Sequence, residues 1–259
     1  ARAERVPLVL LNLDAVAGKA NRWVGRKARI RLTSADGPGV PRSWERVRPV
    51  VREAAMPHGT PAECRLRLGL APERLTLLVT GGSQGARSIN DLMLELAAQH
   101  PGAFQNWQIL HQCGDKGVEA LAAGYSATGV QARCEQYLAD MASAWGAADL
   151  AIARCGASSV AEIWAAGVPS VLLPYPYHRD EHQAANARPL VEVGGAIIER
   201  DQIRGAANME AAGNTILRLL RDDAERDRMR ESLASLGPTD GAQTVADRVL
   251  ELIGRGAPG

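Results

Sequence analysis

Phenylalanine is almost missing from this 259-residue chain: there is one, and aromatic residues together make up 4%. Stacking platforms of the kind that grip single-stranded nucleic acid are therefore not expected. An excess of charge of one sign is missing too. Thirty Lys and Arg face 29 Asp and Glu, for a formal charge of +1, so no global field draws the chain to nucleic acid. Cysteine is sparse, and Cys64, Cys113, Cys134 and Cys155 form no C-x-x-C pair. That argues against a zinc site or a disulfide scaffold and predicts reduced, cytosolic thiols. No apolar run approaches the roughly 20 residues of a membrane span. The opening Val6-Pro7-Leu8-Val9-Leu10-Leu11 is too short for a signal sequence and reads as a buried strand.

What is present is rhythm. After the opening strand come a short helix near residues 21–27 and a connector, 34–61, rich in Pro, Gly and Arg. Strands are then predicted at 75–80, 108–112, 129–133, 150–153 and 170–173. Helices are predicted at 88–100, 117–122, 141–146, 159–166 and 183–193, and two charged or amphipathic tail helices at 209–236 and 242–253. Strands alternating with helices at this spacing predict an α/β fold with a doubly wound parallel sheet. Such sheets bind ligands at the carboxyl ends of their strands. The loops 81–87, 154–159 and 174–182 all fall there.

Gly81-Gly82-Ser83-Gln84-Gly85 follows an apolar strand and opens a helix. That geometry aims free amides and a helix dipole at one spot, a seat for phosphate, although a tight strand-to-helix turn would look the same. It is no Walker A loop, since no Gly-Lys-Ser/Thr follows, and its glycine spacing is not that of a dinucleotide fingerprint. Ser159-x-x-Glu162 reads from spacing as a capping box; a carboxylate there could instead accept from two ribose hydroxyls. His178-Arg179-Asp180-Glu181-His182 invites a metal, but it lacks a rigid helix and a third remote ligand. The alternatives are a loop capping the next helix, or His182 and Gln183 bonding sugar hydroxyls. Arg52 is either a solvated surface charge or a phosphate clamp.

In order and spacing these pieces resemble the bacterial MurG-type glycosyltransferases. The matching segments are Val79-Thr80-Gly81-Gly82-Ser83-Gln84-Gly85-Ala86-Arg87-Ser88-Ile89-Asn90, His111-Gln112-Cys113-Gly114 and Tyr137-Leu138-Ala139-Asp140-Met141. Ala148-Asp149-Leu150 and Arg154-Cys155-Gly156-Ala157-Ser158-Ser159-Val160-Ala161-Glu162 follow. Gly167-Val168-Pro169-Ser170 and His182-Gln183-Ala184-Ala185-Asn186-Ala187 complete the set. The resemblance implies a GT-B type fold: one complete Rossmann-like donor domain at 57–236, and a remnant of the acceptor domain with its connector at 1–56. It also implies a terminal helix at 237–259 packing back on that remnant. The implied activity is inverting transfer of N-acetylglucosamine from UDP-N-acetylglucosamine to the C4 hydroxyl of lipid I, giving lipid II for peptidoglycan. No metal or other cofactor is expected, the partners being the nucleotide sugar, the lipid-linked muramoyl-pentapeptide acceptor and, peripherally, the cytoplasmic face of the plasma membrane.

Carried over by position, Gly82, Ser83 and Gln84 would hold the diphosphate with Arg52, and Leu138 would contact the uracil. Ala157, Ser158, Ser159 and Glu162 would border the nucleotide, with Glu162 on the ribose, and His182 and Gln183 would bind the sugar. The catalytic base is expected upstream of Val6. Where the family has His-Glu-Gln-Asn, this chain has Leu11-Asn12-Leu13-Asp14. Asp14 thus stands where an Asn contacts the donor sugar, which leaves open a different donor or acceptor, or a fragment that binds the nucleotide sugar without turnover.

Overall fold

The computed structural model describes residues 6–37, 39–82, 85–114, 117–175 and 182–254, the last without the His182 side chain. The chain divides into two units, residues 1–51 with 238–259, and residues 52–237. The first opens with β1 (Val9–Asn12), α1 (Lys19–Gly25), β2 (Ile30–Thr33) and β3 (Glu45–Arg46), three parallel strands in that order. Leu10, Ala17, Ala28 and Trp44 form its core. Asn12 is buried because its polar atoms are satisfied: it donates to Thr33 Oγ1 and the Asp14 carbonyl and accepts from Asn21. β2 and β3 go beyond the predicted strands, being too short for alternation to show.

The second unit's first α-helix is α2 (Pro61–Arg67), which lies just past the predicted connector and is not among the predicted helices. Its start signal is complete: Thr60 and Glu63 form a reciprocal capping box, with Pro61 in the first turn. Then follow β4 (Leu75–Thr80), α3 (Arg87–Gln99), β5 (Trp107–Gln112), α4 (Val118–Ala127), β6 (Ala132–Glu135), α5 (Met141–Ala147) and β7 (Leu150–Ala153). After these come α6 (Ala157–Ala166), β8 (Ser170–Leu172), α7 (His182–Glu192) and β9 (Ala196–Ile198). The six strands are parallel in the order β6-β5-β4-β7-β8-β9. Chain order reverses between β4 and β7, so the crevice for a ligand opens there.

Alternation splits the strands between two cores. Leu77, Val79, Ile109 and Ile152 pack with α3 on one face, while Leu78, Leu110, Ala151 and Ala153 pack with Trp145 and Ile163 on the other. The predicted helix 209–236 is instead α8 (Gly205–Asn208), a π-helical turn Met209–Gly213, α9 (Asn214–Arg221) and α10 (Asp223–Ala234). Asp222 breaks it by accepting the Glu225 amide as the N-cap of α10. α11 (Gly241–Gly254) returns to the first unit, where Arg248 bonds Glu45. Among the described residues, no helix is long and apolar enough to cross a membrane.

His111, at the inner end of β5, is fully buried. Asn90 donates its amide to the Cys113 carbonyl, so its oxygen accepts from His111 Nε2, and Nδ1 takes the Tyr125 hydroxyl. Burial pushes its pKa down to about 3. Between about pH 3 and 6.5 the unfolded chain therefore binds a proton that the folded one refuses, and stability falls as pH falls. At about 1.4 kcal/mol per pH unit, the loss of urea stability from pH 7 to pH 5 should be about 2 kcal/mol greater in the parent than in His111→Gln. Equal losses would contradict a neutral buried imidazole.

Candidate functional site

A cleft of about 830 Å³ opens at the carboxyl ends of β4 and β7. Its floor is the turn after β4, where each glycine answers a local demand. A Cβ on Gly81 would lie 2.3 Å from the Ala86 nitrogen, and one on Gly85 2.2 Å from the Cys113 carbonyl oxygen, with φ at +69°. The turn is pinned by Gly85 N–H to Gly82 O at 2.9 Å and by Gln112 Nε2 to Gly82 O at 2.8 Å. Ser83 and Gln84, the central members of the predicted phosphate seat, lie outside the described residues.

Two helices point their N-termini into this cleft. α3 starts after Ala86 and α6 after Gly156, and neither cap offers a side-chain acceptor. Their leading amides, with the dipole behind them, are available to an anion. Arg87 and Arg204 add positive charge to the lining. Gln183 lines the same cleft from the first turn of α7. Its Oε1 accepts the Tyr175 amide at 2.8 Å, which orients the Nε2 hydrogens as its donors.

The capping-box reading of Ser159 and Glu162 is overturned. The turn after β7 is tight enough that α6 begins at Ala157, so Ser158 and Ser159 fall inside its first turn and Glu162 in its body. Glu162, 6% exposed, accepts the Trp145 indole N–H on Oε2 at 2.9 Å. On its other oxygen stands Arg52, at 3.5 Å and with a side chain 72% exposed. Ser159 and Glu162, three apart, share a helix face, and Ser159 lines the cleft. Leu138 is 4% exposed and belongs to the core with Trp145, so a base beside it would meet backbone. Asp14 lies in the other unit, on the loop after β1.

The sequence points to no role for a polar cluster that forms part of the cleft wall through Ser88 and Arg154. Arg154, at the end of β7, donates to the carbonyls of Leu173 and Pro174, to Ser88 Oγ at 2.9 Å, and to Asp201 in a 2.6 Å ion pair. Asp201 also accepts Ser88 Oγ at 2.6 Å, the Ile203 amide at 2.7 Å and Asn208 Nδ2 at 3.0 Å. Burial pushes the Asp201 carboxyl up, but the hydrogen bonds from Ser88, Asn208, Ile203 and Arg154 outweigh it and hold the pKa below the usual range. The cluster ties the ends of β4, β7 and β8 to residues 201–205, of which Ile203, Arg204 and Gly205 line the cleft. Its members lie up to 120 residues apart in sequence, which hides them from any motif. Of the His-x-Asp-x-His run, His178, Asp180 and the His182 side chain lie outside the described residues. No group of three His, Cys, Asp or Glu stands ready for a metal among the described residues.

Residues 76–245 match the model of the glycosyltransferase family 28 C-terminal domain. A UDP-N-acetylglucosamine–N-acetylmuramyl-(pentapeptide) pyrophosphoryl-undecaprenol N-acetylglucosamine transferase of Alkalilimnicola ehrlichii is 37% identical over 247 residues, covering 95% of this chain and 67% of that protein. The transferase of the same name from Xanthomonas campestris pv. campestris is 38% identical over 263 residues, covering 100% of this chain and 58% of that protein. The chain thus spans between about half and two thirds of such relatives. The crystal structure of Acinetobacter baumannii MurG superposes with a TM-score of 0.75 at 28% identity, covering 97% of this chain and 68% of that one.

Proposed function

Because the chain belongs to glycosyltransferase family 28, among its MurG-type members and with their α/β GT-B type of fold, we propose that its 52–237 unit binds UDP-N-acetylglucosamine as a sugar donor. The acceptor is the lipid-linked muramoyl-pentapeptide of lipid I, the product is lipid II, and the protein works peripherally at the cytoplasmic face of the plasma membrane. The observation that supports this best is the crevice at the β4/β7 reversal, with two uncapped helix N-termini above a glycine turn. A diphosphate is the ligand such a place favours.

In this reading Gly82, Ser83, Gln84 and Arg52 hold the diphosphate. Leu138 offers backbone to the uracil, and Ala157, Ser158 and Ser159 border the nucleotide. Glu162 accepts from the ribose, while His182 and Gln183 bond the sugar hydroxyls, and Asp14 stands in place of the Asn that contacts the donor sugar in the family. The C4 hydroxyl of the acceptor attacks the anomeric carbon from the face opposite the phosphate. The bond from that carbon to phosphate oxygen breaks, UDP leaves with the electron pair, the hydroxyl proton passes to a general base, and the centre inverts. The transition state is oxocarbenium-like. Charge grows on the departing phosphate, where amides already oriented by the fold stabilise it without reorganising.

Titration calorimetry on the folded chain should show saturable binding of UDP and of UDP-N-acetylglucosamine, and no heat with either would sink the reading. Asp14 favours one variant of it, a different nucleotide sugar. A thermal-shift screen in which another donor stabilises the chain more than UDP-N-acetylglucosamine would establish that variant.

A further inference from the structure

We propose that Trp145 is a positioning residue for nucleotide recognition: its indole N–H locks the Glu162 carboxylate so that one oxygen is always presented to the ribose hydroxyls. The inference rests on the reading above, in which Glu162 takes the ribose.

Trp145 lies on α5, 1% exposed, with its ring in the core formed by Leu138, Ala144 and Ile163. For packing alone, Phe or Leu would serve there without needing a partner for an N–H. The indole has one polar atom, a donor only, and it is spent on Glu162 Oε2 at 2.9 Å. Glu162 in turn is a carboxylate held at the edge of an apolar layer, a place that costs free energy unless it is hydrogen-bonded. Each group therefore explains the other, and neither is explained by filling space.

The two oxygens of Glu162 have unlike partners. Oε2 faces inward to a rigid, buried donor on another helix. Oε1 faces Arg52, whose side chain is 72% exposed and 3.5 Å away. Glu162 is buried, but the Arg52 end of this long contact stands in water, so it is held less firmly than the short bond to the buried indole. The inner contact is fixed and the outer one replaceable, which is the arrangement a ligand hydroxyl needs in order to displace Arg52 and find the acceptor already oriented. A free glutamate has three side-chain torsions to order on binding. Here the indole has ordered them before the ligand arrives, and that lowers the entropic cost of recognition. Arg52, released from Oε1, is then free for the diphosphate.

The test compares UDP with 2′,3′-dideoxy-UDP by titration calorimetry on the full chain. The parent should prefer UDP by about tenfold or more, the scale of hydrogen bonds to a charged acceptor. Trp145→Phe should cut that preference to less than about threefold by weakening UDP alone, leaving the dideoxy compound bound as before. Should the Phe variant not fold, 3-benzothienylalanine at position 145 keeps the ring shape and deletes only the N–H. Combining either change with Glu162→Gln should lower UDP affinity no further than Glu162→Gln does alone. A parent-like preference in the folded Trp145 variant overturns the positioning role while leaving Glu162 on the ribose. A parent that does not tell the two nucleotides apart overturns the ribose reading itself, and this inference with it.

Discussion

Replacing Asp201 with alanine should lower the unfolding free energy by about 3–5 kcal/mol, the scale seen when one partner of a buried ion pair is removed. The Arg154 and Asp201 side chains are 10% and 0% exposed. With Asp201 gone, the Arg154 guanidinium keeps, among the described residues, Ser88 Oγ, the carbonyls of Leu173 and Pro174 and the face of Tyr175, and its nearly buried charge loses its carboxylate partner. A second loss adds to the first. Ile203 sits at φ +70°, a conformation that a β-branched residue adopts only under constraint. Its amide is held by Asp201 Oδ1, so the alanine variant frees residues 201–205 and reshapes one wall of the cleft.

Urea unfolding measures the stability, and UDP calorimetry on the still-folded fraction reads the cleft. A loss under about 1 kcal/mol would mean that water reaches the pair and that the network is ornamental. Asp201→Asn should cost less than alanine, because it keeps shape and an acceptor while losing the charge. The pH sense follows from the depressed carboxyl. The Asp201 contribution is fully present above the unfolded value near 3.9 and is lost as pH falls through the lower folded value. It therefore disappears at more acid pH than most of the His111 contribution.

The sheet of the 52–237 unit was legible because strand-length segments with apolar centres alternate with helical patterns. β4 and β5 are buried on both faces, and the apolar residues Leu77, Leu78 and Val79 of the one and Ile109 and Leu110 of the other mark their centres. What escaped was short or broken. β9 is three residues, and α2 hid in a Pro- and Arg-rich stretch although Thr60, Pro61 and Glu63 spelled its start. The tail helix read as continuous because charge periodicity carries across Asp222, whose capping role depends on the local chain bend.

The site divides along the same line. Glycine turns and helix starts are local, so loops 81–87 and 154–159 could be placed at strand ends from sequence. The meaning of Glu162 could not. Its spacing from Ser159 satisfies the capping-box pattern, and only the early start of α6 and the Trp145 contact reassign it. Ser88, Arg154, Asp201 and Asn208 meet through the sheet's connectivity alone, and no spacing rule joins residues so far apart.

The glycine turn sets the second large effect. Gly85→Val should abolish measurable UDP binding, a loss of about a hundredfold or more, and cost about 2–4 kcal/mol of stability. Two independent demands meet at this position: φ is +69°, and a Cβ would stand 2.2 Å from the Cys113 carbonyl oxygen and 2.7 Å from its carbon. The obstacle is backbone just past the end of β5, held by the Cys113 N–H bond to Glu135 O at 2.8 Å, so it cannot swing aside as a side chain could. The turn must lift, and the leading amides of α3 move with it. Gly82 supplies the control. Its φ is +81°, but among the described residues nothing lies within 4 Å of where its Cβ would be. Gly82→Ala should therefore cost only the left-handed penalty of about 1–2 kcal/mol, and the turn should stay seated. If the two variants lose stability and UDP affinity equally, the close approach at Gly85 is not what shapes the seat. If Gly85→Val alone loses both, the contact between the turn and the end of β5 holds the anion-binding amides in register.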